Sequence, residues 1–152
     1  MTILGLRCTS SGYSFAVVSG KLKAPVLQDH GTVPAPKNYV KPQLLKWFFQ
    51  EIQGLNHRYQ LDGIVMKGAE GLAARGSAFV ERIELETMVF YASAELGIKP
   101  VLRKVKSQLA KGFGFKGRGR YLDRVETSAI DQYENLPPNV QEAVLAAWSE
   151  LK

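Results

Sequence analysis

The chain has 152 residues, 45% of them hydrophobic and 22% charged, which is the composition of an ordinary globular protein rather than a disordered or fibrous one. This length fits a single domain, residues 1–152, with a core of its own. No run reaches the roughly 18 apolar residues that a membrane-spanning helix needs. The first residues also lack the basic lead and long apolar stretch of a secretion signal.

The cysteine and histidine content excludes several kinds of site. Cys8 is the single cysteine, and His30 and His57 are the only histidines. One cysteine cannot form an intramolecular disulfide, and three scattered residues do not have the spacing of zinc ligands. We therefore expect a cytoplasmic protein without a bound metal or other cofactor.

The N-terminal third of the chain predicts three consecutive antiparallel strands. Residues 2–7, 13–19 and 26–33 are short, apolar or alternating, and are separated by turn-forming residues. Pro34 and Pro36 end the third strand, because proline cannot donate a hydrogen bond to a sheet.

Helices and strands then alternate along the chain. Apolar residues at helical spacing predict a helix over residues 42–55, and a second, longer helix over residues 79–96. Compact apolar runs predict strands at residues 61–67 and 100–105. Residues 68–76 are rich in glycine and alanine and are predicted to form a loop or a loose helical connection.

The C-terminal part is predicted to contain a basic loop over residues 106–120, a helix over residues 121–132 and a final helix that begins near Pro138. Val140 and Val144 lie on one face of this last helix. The resulting order, βββ-α-β-α-β-α-α, predicts an α/β fold with a mixed five-stranded sheet and helices on both faces.

Positive charge is concentrated in residues 99–124, which we call the basic segment. It holds nine Lys or Arg residues and one acid, Asp123, within a chain of net charge +6. Such a patch is typical of proteins that bind polyanions. Its cations can neutralise phosphates, and its aromatic rings can stack on unpaired bases. A surface loop whose phenylalanines cover the core is the alternative. The candidate nucleic-acid-binding residues are Arg103, Lys104, Lys106, Lys111, Phe113, Phe115, Lys116, Arg118 and Arg120.

Three local patterns carry a family resemblance. Residues 3–13, ILGLRCTSSGY, resemble the first hairpin of RuvC-type Holliday-junction resolvases, which belong to the ribonuclease-H-like superfamily. Residues 103–106 with the glycine-containing loop 112–117 resemble the DNA-facing basic segment of these enzymes. Residues 139–147, NVQEAVLAA, resemble their last helix. The resemblance implies a ribonuclease-H-like fold and nucleic acid, DNA more than RNA, as the partner.

The same resemblance implies that the catalytic acids have been lost. Resolvases hold two Mg²⁺ ions between four carboxylates, which clamp the attacking and leaving oxygens of a phosphodiester. The resemblance puts Arg7 and Lys67 at the first-strand and fourth-strand acid positions, and Asn139 and Glu142 at the two positions in the last helix. Guanidinium and ammonium groups have no lone pair for a metal and repel it. We therefore expect a pseudoenzyme without catalytic residues.

Two arrangements of these residues remain open. Arg7 and Lys67 either occupy the place of the metals and face a phosphate, or form an internal ion pair with Glu142 that stabilises the sheet. Three acids near the start of the second long helix are predicted to be solvated or to favour the helix N-terminus: Glu81, Glu84 and Glu86.

Three functions follow as hypotheses. The leading one is a catalytically degenerate, resolvase-like protein that binds nucleic acid through the basic segment and through the cations at the former metal site. The second is a metal-dependent endonuclease with a relocated site built from Glu70, Glu142 and Asp123. The third is a protein-interaction module, homodimeric through the helix over residues 79–96.

Overall fold

The computed structural model describes residues 1–117 and 119–152. Five strands form one sheet in the order β3-β2-β1-β4-β5. Strand β1 is antiparallel to β2 and parallel to β4; β2 and β3 are antiparallel, and β4 and β5 are parallel. The strand bounds are Thr2–Thr9 (β1), Gly12–Lys21 (β2), Ala24–Pro34 (β3), Gly63–Lys67 (β4) and Val101–Lys104 (β5).

Four α-helices cover the two faces of this sheet. Their bounds are Lys41–Tyr59 (α1), Ser77–Leu96 (α2), Lys106–Gly112 (α3) and Pro138–Trp148 (α4). Because side chains alternate along a strand, Leu4 and Leu6 of β1 pack with α1 and α2, whereas Ile3 packs with α3 and α4. The predicted mixed five-stranded sheet with helices on both faces is therefore confirmed.

Helix α4 lies unusually close to the central strand. A Cβ atom at Gly5 would stand 1.8 Å from the carbonyl oxygen of Ala143, so only glycine fits there. The helix presents small residues to the sheet, Ala143, Ala146 and Ala147, all fully buried. This close packing brings the neighbouring Glu142 within reach of the next strand residues.

Two predictions for the segment after β5 are wrong. Residues 106–112 form helix α3 instead of a loop, because Leu109 and Ala110 are buried on one side of it. The helix predicted over residues 121–132 is replaced by short 3₁₀ turns, the first two at Tyr121–Arg124 and Thr127–Ala129. Several β-branched residues with restricted side chains lower the helix propensity of this stretch.

Within the described residues, no helix is both long enough and apolar enough to cross a membrane.

Candidate functional site

Arg7 and Lys67 lie at the carboxyl ends of the two central parallel strands. The register pairs Leu6 of β1 with Met66 of β4, so the next residue on each strand points to the face that α4 covers. The side chain of Arg7 is 21% exposed and that of Lys67 is 4% exposed. In open α/β sheets this edge is where ligands bind.

Arg7 is held by α4 and by its own strand. Its Nε donates to Oε2 of Glu142 at 2.7 Å, and its Nη1 donates to the carbonyl oxygen of Cys8 at 2.6 Å. The ion pair with Glu142 is one of the two arrangements considered from the sequence. Both partners are partly exposed, so solvent weakens the attraction.

Lys67 pairs with a carboxylate other than Glu142, the partner in one of the two arrangements left open from the sequence. Its Nζ donates to the carbonyl oxygen of Gly68 at 2.6 Å and to Oε1 of Glu70 at 2.7 Å, not to Glu142. The same Glu70 oxygen accepts the backbone N–H of Lys106 at 3.0 Å. Desolvation raises the pKa of Glu70, but the bonds from Lys67 and Lys106 outweigh it and hold that pKa below its ordinary value.

A third ion cluster lies behind Lys67, and the sequence interpretation missed it. Glu86 is fully buried, and its two oxygens pair with Arg82 at 2.9 Å and with Arg103 at 2.7 Å. Arg82 Nη2 also donates to the carbonyl oxygen of Lys67 at 2.5 Å. The prediction that Glu86 is solvated is wrong, because α2 turns it toward the sheet. The signal in the sequence was the spacing of four residues between Arg82 and Glu86, which puts the two side chains on the same face of a helix.

The remaining predicted position, Asn139, lies in the first turn of α4 and is partly exposed. Among the described residues, no hydrogen bond joins its side chain to Arg7 or Lys67.

These residues do not fit a centre for two divalent cations. Glu142 and Glu70 each already neutralise a cation, and Arg7 and Lys67 have no lone pair to offer a metal. Within residues 1–117 and 119–152, no group of three or more His, Cys, Asp or Glu side chains has the geometry of a metal site.

The Arg7–Glu142 pair stands between two cavities. Glu142 lines one of about 410 Å³ together with Lys67 and Lys106. Arg7 lines the other, of about 250 Å³. The larger cavity also contains Tyr133, whose pKa is raised above its ordinary range, first by burial and then by nearby carboxylates.

The basic segment divides into two groups of residues. Arg103 and Lys104 are ion-paired, Arg103 with Glu86 and Lys104 with Glu150. The other described cations of the predicted set are exposed and, within the described part of the chain, form no direct salt bridge: Lys106, Lys111, Lys116 and Arg120. The charge of Lys106 still acts on Glu70 and helps to lower its pKa. Arg118 lies outside the described residues.

The two phenylalanines of the basic segment contact the protein's own surface. The ring of Phe113 meets Trp148 edge to face at 5.1 Å between centroids. Phe115 is half-buried and lines a cavity beside Trp148. For Phe113, the contact agrees with the alternative interpretation, in which the ring covers the core.

Comparison with solved structures identifies the fold. The chain matches Thermus thermophilus RuvC in complex with a Holliday junction substrate at a TM-score of 0.79 and 15% identity, covering 98% of this chain and 92% of that one. A second Thermus thermophilus RuvC structure gives 0.78 and 13%, with the same coverage. The yeast mitochondrial Holliday junction resolvase gives 0.59 and 13%, covering 97% and 77%.

No protein-family model matches the sequence, and no curated protein matches it either. The RuvC-like, ribonuclease-H-like fold that the sequence predicts is confirmed by the solved structures. At identities of 13–15% the likeness shows the fold alone.

Proposed function

We propose that this protein binds nucleic acid, DNA in preference to RNA, and does not cleave it. The observation that carries the proposal is the continuity between the exposed cations and the end of the sheet. Lys106 of the basic segment lines the same cavity as Lys67 and Glu142. A phosphate backbone held by the segment would therefore pass directly over the site that metals occupy in the resolvases.

Internal cations support binding without hydrolysis. Arg7 and Lys67 place N–H donors at the strand ends, and a carboxylate holds each of them in position, so hydrogen bonds can bring a phosphate close without a divalent ion. In the resolvases that this chain resembles, paired Mg²⁺ ions would provide both the charge and the activated water. This chain has hydrogen-bond donors for a phosphate at the same strand ends, but its two carboxylates there are already paired with Arg7 and Lys67.

The experiment is a binding titration of the full chain by fluorescence anisotropy. The probes are a four-way DNA junction, duplex DNA, single-stranded DNA and RNA of equal length, each in EDTA and in Mg²⁺. We expect binding that does not require Mg²⁺ and persists in EDTA, with an affinity that falls steeply with salt and is higher for DNA than for RNA. Salt-insensitive or absent binding to every probe would overturn the proposal.

A matched pair of triple variants tests the binding surface. K106E/K111E/R120E reverses three exposed cations of the basic segment, and we expect it to weaken binding by about a hundredfold or more and to lower the salt slope by about three for duplex DNA. K21E/K37E/K46E makes the same charge change at exposed positions on β2, in the loop between β3 and α1, and on α1. Equal losses in the two variants would show that only net charge matters.

A cleavage assay on the labelled junction tests the nuclease alternative. Glu142 and Asp123 line one cavity, whereas Glu70 is bound to Lys67 and Lys106. Cleavage of labelled junctions in Mg²⁺ or Mn²⁺ that disappears in Glu142→Ala would replace our proposal with a relocated metal site.

We also propose that the protein is a cytoplasmic homodimer that pairs through α2. Val80, Phe90 and Tyr91 are 53%, 38% and 54% exposed on this helix, and a second copy would cover them. Light scattering should give twice the chain mass of 16.8 kDa, and Tyr91→Glu should restore the monomer. A monomeric wild-type protein would contradict this assignment.

A further inference from the structure

The smaller cavity, on the Arg7 side of the Arg7–Glu142 pair, has the composition of an anion site. It measures about 250 Å³ and lies between the β1–β2 turn, the loop after β4 and the first turn of α2. Two arginines, Arg7 and Arg82, and two hydroxyl residues, Thr9 and Ser10, line it. The other described lining residues are alanines and Phe79, and none is acidic.

Both arginines have donor groups left for a ligand. The internal bonds of Arg7 use Nε and Nη1, and those of Arg82 use Nε and Nη2. Arg7 Nη2 and Arg82 Nη1 take part in none of these bonds. Because a carboxylate already binds the Nε of each guanidinium, the two groups are fixed before a ligand arrives, which lowers the entropy cost of binding.

The electrostatic balance around the cavity is positive. Arg7 and Arg82 line the cavity, whereas the carboxylates paired with them do not line it. Of these carboxylates, Glu86 is also shared with a second cation, Arg103. A further cation is close by, since Arg75 stacks on Phe79 with its guanidinium carbon 5.3 Å from the ring centre.

We propose that this cavity binds a single phosphate group of a nucleic-acid strand. The inference rests on the proposed function and gives one phosphate a defined position. A phosphate offers several tetrahedrally arranged oxygens to donors that converge from different elements, whereas a carboxylate offers two in a plane. The cavity is smaller than the roughly 300–1,000 Å³ of small-molecule pockets and has room for a phosphate group with its ester oxygens.

The position on the sheet favours a strand over a free ion. The Arg7–Glu142 pair separates this cavity from the one that Lys67 and Lys106 line. A backbone that crosses the end of the sheet would set one phosphate beside Arg7 and Arg82 and further phosphates along the basic segment.

The test places a carboxylate in the cavity without touching an ion pair. Ala74 lines the cavity and is exposed, so Ala74→Glu adds charge there while Arg82 stays in its buried cluster. Ala74→Gln is the matched neutral control. With a fluorescent oligothymidylate of 20 nucleotides, we expect Ala74→Glu to weaken binding about tenfold and to lower the salt slope by about 0.7. Ala74→Gln should bind within twofold of the wild type. Equal affinities of the two variants would overturn the assignment.

A direct readout separates this site from the basic segment. In ¹⁵N NMR spectra of the full chain, the Nε–H signals of Arg7 and Arg82 should shift with the oligothymidylate and with thymidine 5′-monophosphate, but not with thymidine. The shifts should persist in K106E/K111E/R120E at saturating ligand, even if the affinity of that variant falls. Shifts with inorganic phosphate or the monophosphate but none with the oligonucleotide would overturn the strand assignment in favour of a free phosphate. No shift with any phosphate would overturn the site itself, whatever the basic segment binds.

Discussion

The end of the sheet and the basic segment both carry positive charge, but they hold it in different ways. At the end of the sheet, Arg7, Lys67 and Arg82 each contact a carboxylate within 3 Å. Along the basic segment, Lys111 and Lys116 project into solvent. Charge matched inside the protein mainly fixes geometry, whereas unmatched surface charge can be neutralised by a partner with release of counterions. We therefore expect removal of a paired carboxylate in the first region to act mainly on stability, and charge reversal in the second region to act mainly on binding.

The largest stability effect is expected at Glu86. Glu86→Ala leaves Arg82 buried without its carboxylate and should lower the free energy of unfolding by about 3–5 kcal/mol, measured in urea. Glu84 lies two residues away and pairs with Lys41, but both side chains are about 40% exposed. Glu84→Ala is therefore the control, with an expected cost below about 1 kcal/mol. Similar costs for the two variants would contradict the division between the regions.

The chemical reactivity of Cys8 tests whether this end of the sheet excludes water. Burial, followed by the charge of Glu86, raises the pKa of the thiol from 9.0 to about 12. Because the thiolate is the reactive form, iodoacetamide at pH 8 should modify the native thiol at least about a hundredfold more slowly than the urea-unfolded one. Comparable rates, followed by mass spectrometry, would show that water reaches the site.

A smaller effect is expected at the partly exposed pair of Arg7 and Glu142. Glu142→Ala should cost about 1 kcal/mol in the free energy of unfolding, and Glu142→Gln less, because the amide oxygen can still accept from Arg7 Nε. Urea titrations of both variants make the comparison. A cost of 3 kcal/mol or more would place this pair with Glu86 among the buried ions.

The smallest effect concerns pH. The pKa of Glu70 is lower in the folded chain than its ordinary 4.5, so this group stabilises the fold above pH 4.5, and the contribution is lost as the pH falls through the folded value. Unfolding free energies of the wild type and Glu70→Gln should therefore differ most near pH 7. The difference should shrink below pH 4.5, and a constant difference between pH 7 and pH 3 would refute the assignment.

The part of the fold that the sequence predicts is the part governed by local patterns. The short apolar run of β1, the alternation in β2 and the helical spacing in α1 and α2 define the sheet and one layer of helices without reference to distant residues. Helix α3 could not be predicted from the sequence. The frequent glycines and lysines of residues 106–117 are typical of a loop, and only Leu109 and Ala110 supply the buried side of the helix.

Partner choice among the charged residues could not be predicted in the same way. Lys67 pairs with Glu70, three residues away, because the loop after β4 folds back over the strand end. Arg7 pairs with Glu142, 135 residues away, because Gly5 lets α4 approach the sheet. The Lys67–Glu70 contact depends on the conformation of a loop, and the Arg7–Glu142 contact depends on close helix packing. Neither feature produces a periodic pattern in the sequence.

The edge-to-face contact of Phe113 with Trp148 gives the molecule a natural optical reporter. The chain has two tryptophans; Trp47 packs with the core on the opposite face of the sheet, and Trp148 donates its indole N–H to the carbonyl oxygen of Leu22 at 2.8 Å. A polyanion that draws the loop around Phe113 toward itself would alter the emission of Trp148 while leaving Trp47 as an internal reference. Engagement of this loop can therefore be followed in the unlabelled wild-type protein.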